Sequence, residues 1–450
     1  QDGISDVSAV SAAPGTGPTG TFGDVATSLL GLVSPAPAGA TAVGGLAETQ
    51  ATSIRKWTQE FRLASAAGQT LEWQLGAFYT HESSSLDQTL PLFYVPTQVF
   101  APLPVAFGGP SLENASLDSL YREWAGFAEV TYHFNPQFDL GLGGRWSENK
   151  QSASETTSGA LLTLTGQANP QVVTGDSSDT DVTYSIAPRW HLSADTMVYG
   201  RIATGYRPGG PNDLPPTAPA SIQRAYQSDQ TTNYELGLRS DLLDRSLSID
   251  VAAFLVDWKK IQLFEEVQVA GQPPFGINAN GGTARTKGLE WTLALTPVTG
   301  LTFTLTGAYV DAYLTSAAPD AGGNDGDPLP FVPKWSTSLD GVYAWHAFDN
   351  YGAFVGATWS YIGSRFNDFS AIPGAAGALQ PEPRPELPSY NSVNLRAGLE
   401  NDRWVFELYG KNLGDTRGIA YYTNSGAPNY GGEINYVMPR TIGVTATLKF

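Results

Sequence analysis

The chain has 450 residues, 41% hydrophobic and 15% charged, with a formal net charge of −18 and no cysteine. Without cysteine there is no disulfide framework, no thiol nucleophile and no thiolate metal site. The acidic balance, with no basic stripe to neutralise phosphates, excludes nucleic acid as a partner.

Residues 1–53 are rich in Gly, Ala, Pro, Ser and Thr and show no sustained alternation, so they read as a long extracellular loop or a disordered leader. Within them Val25–Ala47 carries no charge, but Pro35 and Pro37 interrupt any spanning helix. The opening QDGISDVSAV lacks the basic start and apolar core of a signal peptide, as expected of a mature or truncated chain. From residue 54 onward the pattern changes to apolar/polar alternation. Candidate strands fall at about 54–65, 71–82, 119–134, 138–150, 182–192, 196–206, 230–241, 246–264, 284–296, 301–313, 334–346, 351–365, 390–399, 403–413 and 439–450.

The connections alternate strictly. Short joins at Ala66–Thr70, Asn135–Gln137, Ser193–Asp195, Leu242–Arg245, Pro297–Gly300, Ala347–Asn350 and Glu400–Asp402 are separated by long excursions at 83–118, 151–181, 207–229, 265–283, 314–333, 366–389 and 414–438. Transmembrane β-barrels have this rhythm, with tight periplasmic turns and long extracellular loops. The faces agree: Ile442, Val444, Ala446 and Leu448 oppose Thr441, Gly443, Thr445 and Thr447. Charges sit on the polar face, among them Glu60, Arg62, Arg145, Arg201, Glu235, Arg239, Glu290 and Arg396. A charged side chain in lipid costs roughly 2–4 kcal/mol at the midplane, so these are expected to face the lumen. Trp146, Tyr206, Tyr309, Trp335, Tyr343, Trp345, Tyr361 and Trp404 fall near strand ends, where interfacial belts lie. A soluble sandwich explains the alternation but not seven long loops at one end.

Single-chain bacterial barrels have an even strand number and both ends in the periplasm, whereas fifteen segments are counted here. An unpaired edge cannot sit in lipid, so the expectation is a C-terminal fragment of a larger protein.

The stretch YELGLRSDLLDRSLSIDVAAFLVDWKKIQL, Tyr234–Leu263, resembles the most recognisable hairpin of TonB-dependent outer-membrane receptors. NANGGTARTKGLEWTLALTPVTGLTFTLTGAYVDAYL follows with the same cadence, and QEFRLAS (59–65), LEWQLGAFY (71–79), YGRIATGYRPGG (199–210) and KNLGDTRG (411–418) echo the family in order. The resemblance covers about residues 54–450 and implies an all-β, antiparallel meander barrel of the bacterial outer membrane. In the family 22 strands surround an N-terminal plug preceded by a TonB box; neither plug nor box is recognised here, and the fifteen strands correspond to the last fifteen. The resemblance further implies that TonB–ExbB–ExbD acts through the plug. Phe450 resembles the aromatic end read by the barrel-assembly machinery. The implied activity is uptake of a bulky or scarce nutrient, a ferric siderophore first, with an oligosaccharide or cobalamin as further options. A passive porin-like channel is the competing class.

No enzyme is expected. His81, His133, His191 and His346 are scattered, and neither GxSxG nor GxxxxGK[ST] occurs. No cofactor or metal is expected; Asp320–Asp327, DAGGNDGD, offers calcium-type oxygens but also ordinary turn chemistry. Ligand contacts are sought in the loops: Phe93, Tyr94 and Phe100, with Phe107 beside them, then Phe366, Tyr421, Tyr422 and Tyr430. Arg285 and Lys287, outward and near the outer rim, are candidates for lipopolysaccharide phosphates. The lumen charges either hold a plug, as the resemblance implies, or pair across strands.

Overall fold

The computed structural model describes residues 44–46, 49–94, 99–100, 111–164, 166–212, 214, 218–219, 221–267, 275–369, 386–423 and 433–449. One antiparallel sheet of fifteen strands dominates them. In chain order these are β1 (Thr49–Ala64), β2 (Leu71–Leu90), β3 (Glu113–Asn135), β4 (Phe138–Ser158), β5 (Gln171–Ser193), β6 (Thr196–Arg207), β7 (Asp229–Leu242) and β8 (Leu247–Lys259). They continue as β9 (Thr283–Val298), β10 (Leu301–Leu314), β11 (Trp335–Phe348), β12 (Tyr351–Ile362), β13 (Tyr390–Glu400), β14 (Trp404–Lys411) and β15 (Thr441–Leu448). Each strand pairs with its neighbours in sequence, a pure meander, and β1 and β15 are the sheet's two edges.

The alternation read from the sequence sets the two faces. Phe61 remains 69% exposed and Val444 79%, values that only an apolar surrounding makes favourable for a whole sheet face. Aromatic side chains gather on this face in two bands. Near the short turns lie Tyr132, Phe134, Phe138 and Trp190, with centroid separations of 4.7, 5.4 and 6.5 Å along the series, and the pair Tyr343/Trp345 at 5.3 Å. Farther up lie Trp57, Tyr79 and Trp124 at 5.5 and 4.3 Å, and Trp291, Trp335 and Tyr309 at 6.4 and 4.9 Å. About eight residues separate the bands, which at ~3.3 Å per residue and ~40° tilt is roughly 20 Å, close to the apolar height of an outer-membrane barrel. Tyr206 departs from this arrangement: its hydroxyl meets Ser147 Oγ at 2.5 Å and Glu123 Oε1 at 3.5 Å, so it is turned to polar partners instead of joining a belt.

Four strands run far beyond the membrane. β2, β3, β4 and β5 have 20, 23, 21 and 23 residues, whereas crossing needs about 9–11. The residues 83–90, 113–118, 151–158 and 171–181, expected as loop, are therefore strand. They are Ser/Thr-rich on both faces, so hydrophobic alternation is absent. Hydroxyl contacts bridge neighbouring strands instead, Ser84 with Ser119 at 2.6 Å and Ser116 with Asp87 at 2.7 Å. β1 likewise starts at Thr49, pairing with Thr89.

Among the described residues the buried apolar clusters belong to the extracellular layer. One joins Ile261, Ala284, Ala312, Leu314, Ala318, Leu329 and Phe369, the other Leu214, Ala218, Ile277 and Ala279.

Two predictions follow from the sheet's faces and its tall strands. Leu75→Arg, on the apolar face, should cost roughly 2–4 kcal/mol of folding stability in lipid, whereas Gln74→Arg, on the opposite face across from Glu129, should cost little; urea unfolding in bilayers compares them. At the tip of β3, burial and then Glu155 hold the Glu113 carboxyl above its ordinary range. The folded chain then binds more protons than the unfolded one between the two values, so this tip loses stability as pH rises through that window. Glu113→Gln should raise amide protection there at alkaline pH and leave it unchanged at acid pH, as hydrogen exchange would read.

Candidate functional site

Small hairpins crown the strands and weld the loops into one layer. Asn212 Nδ2 donates to the carbonyls of Gln223 at 3.0 Å and Asn278 at 2.8 Å, and its Oδ1 accepts the Asn278 N–H at 2.9 Å. Gln262 Nε2 donates to Pro208 O at 2.9 Å and Gln227 O at 3.0 Å. Arg207 grips Asp229 Oδ2 at 2.5 and 3.1 Å. Residues 207–212 and 223–229 are thereby fixed to the hairpin Gln262–Val267/Phe275–Asn280.

A second weld joins the loops after β10, β12 and β14. Asn367 Nδ2 donates to Tyr422 O at 2.6 Å while its Oδ1 accepts the Tyr422 N–H at 2.9 Å. Arg365, 8% exposed, donates to Ile419 O at 2.9 Å and stacks over Tyr390 at 5.8 Å. Phe331 sits with φ of +62°, a region that bulky residues rarely occupy. Its N–H is taken by Phe366 O at 2.8 Å, and its ring lies against Tyr421 with centroids 5.7 Å apart. Both rings stay exposed, at 43% and 41%.

Of the loop residues expected from sequence, Phe366, Tyr421 and Tyr422 come together here. Phe93, Tyr94 and Phe100 belong to another small sheet, in which Phe93 pairs with Phe100 and Tyr94 with Gly44; only their backbone is described. Tyr430, Phe107 and Phe450 lie outside the described residues. Phe331, Arg365 and Asn367 escaped the sequence reading. An isolated aromatic after Pro330 and an Arg-Phe-Asn triplet carry no periodic signal. Asp320–Asp327 is a turn in which Asp327 Oδ2 accepts the Asn324 N–H at 2.7 Å.

On the inner wall most charges pair locally. Arg62 is bonded to Glu60, Arg145 to Glu123 at 2.6 Å, Arg239 to Asp250 at 2.9 Å and Arg396 to Asp340 at 3.1 Å. Glu235 is held by Tyr199 Oη at 2.7 Å and Asn233 Nδ2 at 3.0 Å. Arg201 lies across from Glu235, and Glu290 lies between Ala252 and Ala308. Near the short turns this face hollows into a recess of about 960 Å³, lined by Glu72, His133, Asp139, Arg189, His191 and Arg201 among others. Asp139, buried, accepts from Arg189 and sits 2.9 Å from His191 Nε2. Arg285 and Lys287 are not free rim cations: Arg285 pairs with Asp257 at 2.7 Å, and Lys287 with Asp311 at 3.6 Å.

The profile of the "TonB dependent receptor-like, beta-barrel" family matches residues 15–413. The chain belongs to the TonB-dependent receptor family. Its place is accordingly the bacterial outer membrane. The pesticin receptor of Yersinia pestis is 26% identical over 331 residues, covering 72% of this chain and 43% of that protein. The metal-pseudopaline receptor CntO of Pseudomonas aeruginosa strain UCBPP-PA14 is 27% identical over 226 residues, 49% of this chain and 28% of that one. In structure, the ferric yersiniabactin uptake receptor FyuA from Yersinia pestis superposes with a TM-score of 0.68 at 20% identity, covering 90% of this chain and 56% of that chain. At that identity the likeness concerns the fold. The chain spans less than half the length of these curated relatives.

Within this receptor barrel Asn367 is the joint most open to a clean test. Asn367→Asp keeps the acceptor for Tyr422 N–H but sets a carboxylate against Tyr422 O, a loss of about 1–3 kcal/mol at that contact. Limited proteolysis should show faster cleavage between 414 and 438 than in the unaltered receptor.

Proposed function

We propose that this protein is the barrel portion of a receptor that captures a ferric siderophore or a related metal chelate outside the cell for TonB-coupled uptake. The observation that carries the reading is the exposed Phe331–Tyr421 stack, held out by a strained backbone and anchored by the Arg365 and Asn367 welds. Exposed aromatic faces on a pre-ordered layer suit the flat rings and chelated metal of a siderophore, and little entropy remains to be lost on binding. The relatives named for pesticin and metal-pseudopaline, and the fold shared with a ferric yersiniabactin receptor, support the same class.

The reading extends to the rest of the assembly. β1 and β15 are edges that lipid cannot leave unpaired, so further strands close the barrel between them in the whole receptor. A plug linked to TonB–ExbB–ExbD then fills the lumen and rests on the recess around Arg201 and Asp139. Phe450 addresses the barrel-assembly machinery. Lipopolysaccharide phosphates approach the outward cluster of Arg285, Lys287 and Lys334, whose three positive charges exceed the two carboxylates paired with them, Asp257 and Asp311. None of these steps makes or breaks a bond in the chain's own side chains.

The test uses the full-length receptor. Phe331→Ala and Tyr421→Ala should each weaken binding of ferric siderophores by about tenfold, the equivalent of ~1.4 kcal/mol for a lost aromatic contact. Fluorescence quenching across a panel of ferric siderophores, cobalamin and maltooligosaccharides reads this. Binding of a sugar or cobalamin but no iron chelate would replace the substrate class, and unchanged affinity in both variants would remove the stack from the site.

A further inference from the structure

Strands β4 and β5 pair in the register Ser147↔Asp181, Asn149↔Asp179 and Gln151↔Ser177, which sets these polar side chains as a ladder on one face. The segment that follows β6 closes over it. Gly209 donates its N–H to Asp179 Oδ2 at 2.9 Å, Gln151 Nε2 donates to Gly209 O, and Ser228 Oγ and Gln230 Nε2 donate to Asp181 Oδ1 at 3.2 and 3.3 Å. The approach leaves no room for side chains: a Cβ at Gly175 would lie 2.8 Å from Pro211 Cβ, and one at Gly209 2.5 Å from Asp179 Oδ2.

Beneath this cover Asn149 is 0% exposed and Asp181 3% exposed. Both amide atoms of Asn149, the second carboxylate oxygen of Asp181 and the hydroxyl of Ser177 have no hydrogen-bond partner. Buried polar atoms are nearly always partnered, so the three such atoms of Asn149 and Asp181, on adjacent rungs, call for something between them, whereas Ser177 lies about 13 Å along the strand from Asp181 and stands apart. The cations of β4 and β5 are engaged elsewhere, Arg145 with Glu123 at 2.6 Å, Lys150 with Glu148 at 2.9 Å and Arg189 with Asp139, and Arg207 at the end of β6 is held by Asp229 at 2.5 Å. Ordered water would satisfy the amide and the hydroxyl but would leave the two aspartates without a counter-charge. The unpartnered oxygens of Asn149 and Asp181 are hard donors, amide carbonyl and carboxylate, of the kind that calcium takes.

We propose that Asn149 Oδ1, Asp179 and Asp181 Oδ2, on adjacent rungs of the ladder, bind one calcium ion, with water completing its shell. The ion ties the 207–229 segment to the tall wall of β4 and β5. Because that segment is itself welded to the 262–280 hairpin through Asn212 and Gln262, calcium sets the order of this half of the extracellular layer. The site is independent of which chelate the receptor carries.

Calorimetry on the chelator-stripped full-length receptor tests this, together with the rate of tryptic cleavage after Arg224, inside the tied segment. The expected result is one equivalent of calcium with a Kd of about 10⁻⁴–10⁻³ M, the range of extracellular modules, and cleavage slowed about tenfold by calcium. Asp181→Asn should abolish both effects. Asn149→Asp, which adds a charged ligand, should tighten binding about tenfold, and it keeps the test decisive if Asp181→Asn fails to insert. No heat with an unchanged cleavage rate would overturn the proposal, leaving ordered water in the ladder. Equal affinity in Asn149→Asp and the unaltered receptor would overturn it too, because the ion would then lie elsewhere, at Asp320–Asp327 for instance.

Discussion

Hydrocarbon cannot hydrogen-bond a backbone amide, and every described strand answers to that constraint. Each of the fifteen finds its partners laterally in a sequential meander, so the sheet needs no crossover and each turn on one side stays short. The same constraint reverses the ordinary arrangement of side chains. Apolar residues such as Phe61 and Val444 are highly exposed, while on the opposite face Arg145, Arg239 and Arg396 pair across strands with carboxylates. Conventional buried cores are then left to the layer above the membrane, where Leu314 and Phe369 meet water-excluding neighbours.

That layer is held by side-chain to backbone hydrogen bonds more than by apolar burial. Asn212, Gln262, Asn280 and Asn367 each bridge segments far apart in sequence, with Asn280 joining Gln227 and Lys260 at 2.9 Å. A carboxamide offers both donor and acceptor, so one residue can fix a neighbouring chain in two directions at once, as Asn367 does with Tyr422. Arg365 adds a charged version of the same device, donating to carbonyls with its ring partner Tyr390 beneath.

Most of the sheet was legible in the sequence because lipid imposes a two-residue period. Leu301 to Leu314 and Thr441 to Leu448 announce both their strands and their faces, and the tight joins fall within a residue or two of the structural turns. The upper halves of β2 to β5 were not legible. Above the membrane both faces meet water, the period vanishes, and Ser84, Ser119 and their neighbours look like loop. The loop layer was legible only in composition. Tyr421 and Phe366 were visible as aromatics, but Phe331, Asn367 and the buried Asn149 gain their roles from partners dozens of residues away. The rim cations were visible too, yet their pairing with Asp257 and Asp311 across strands was not.

The unequal height of the wall gives the receptor a sidedness. From β2 to β5 the rim is a hydrogen-bonded ladder continued rung by rung, Leu90 against Glu113 and Thr157 against Gln171 at its top. From β8 to β15 the strands end lower and carry hairpins instead. A continuous ladder resists local opening, whereas the hairpins on the other flank are held to their neighbours by side-chain joints. The two flanks thus reach order by different means, backbone rungs on one side and side-chain joints on the other.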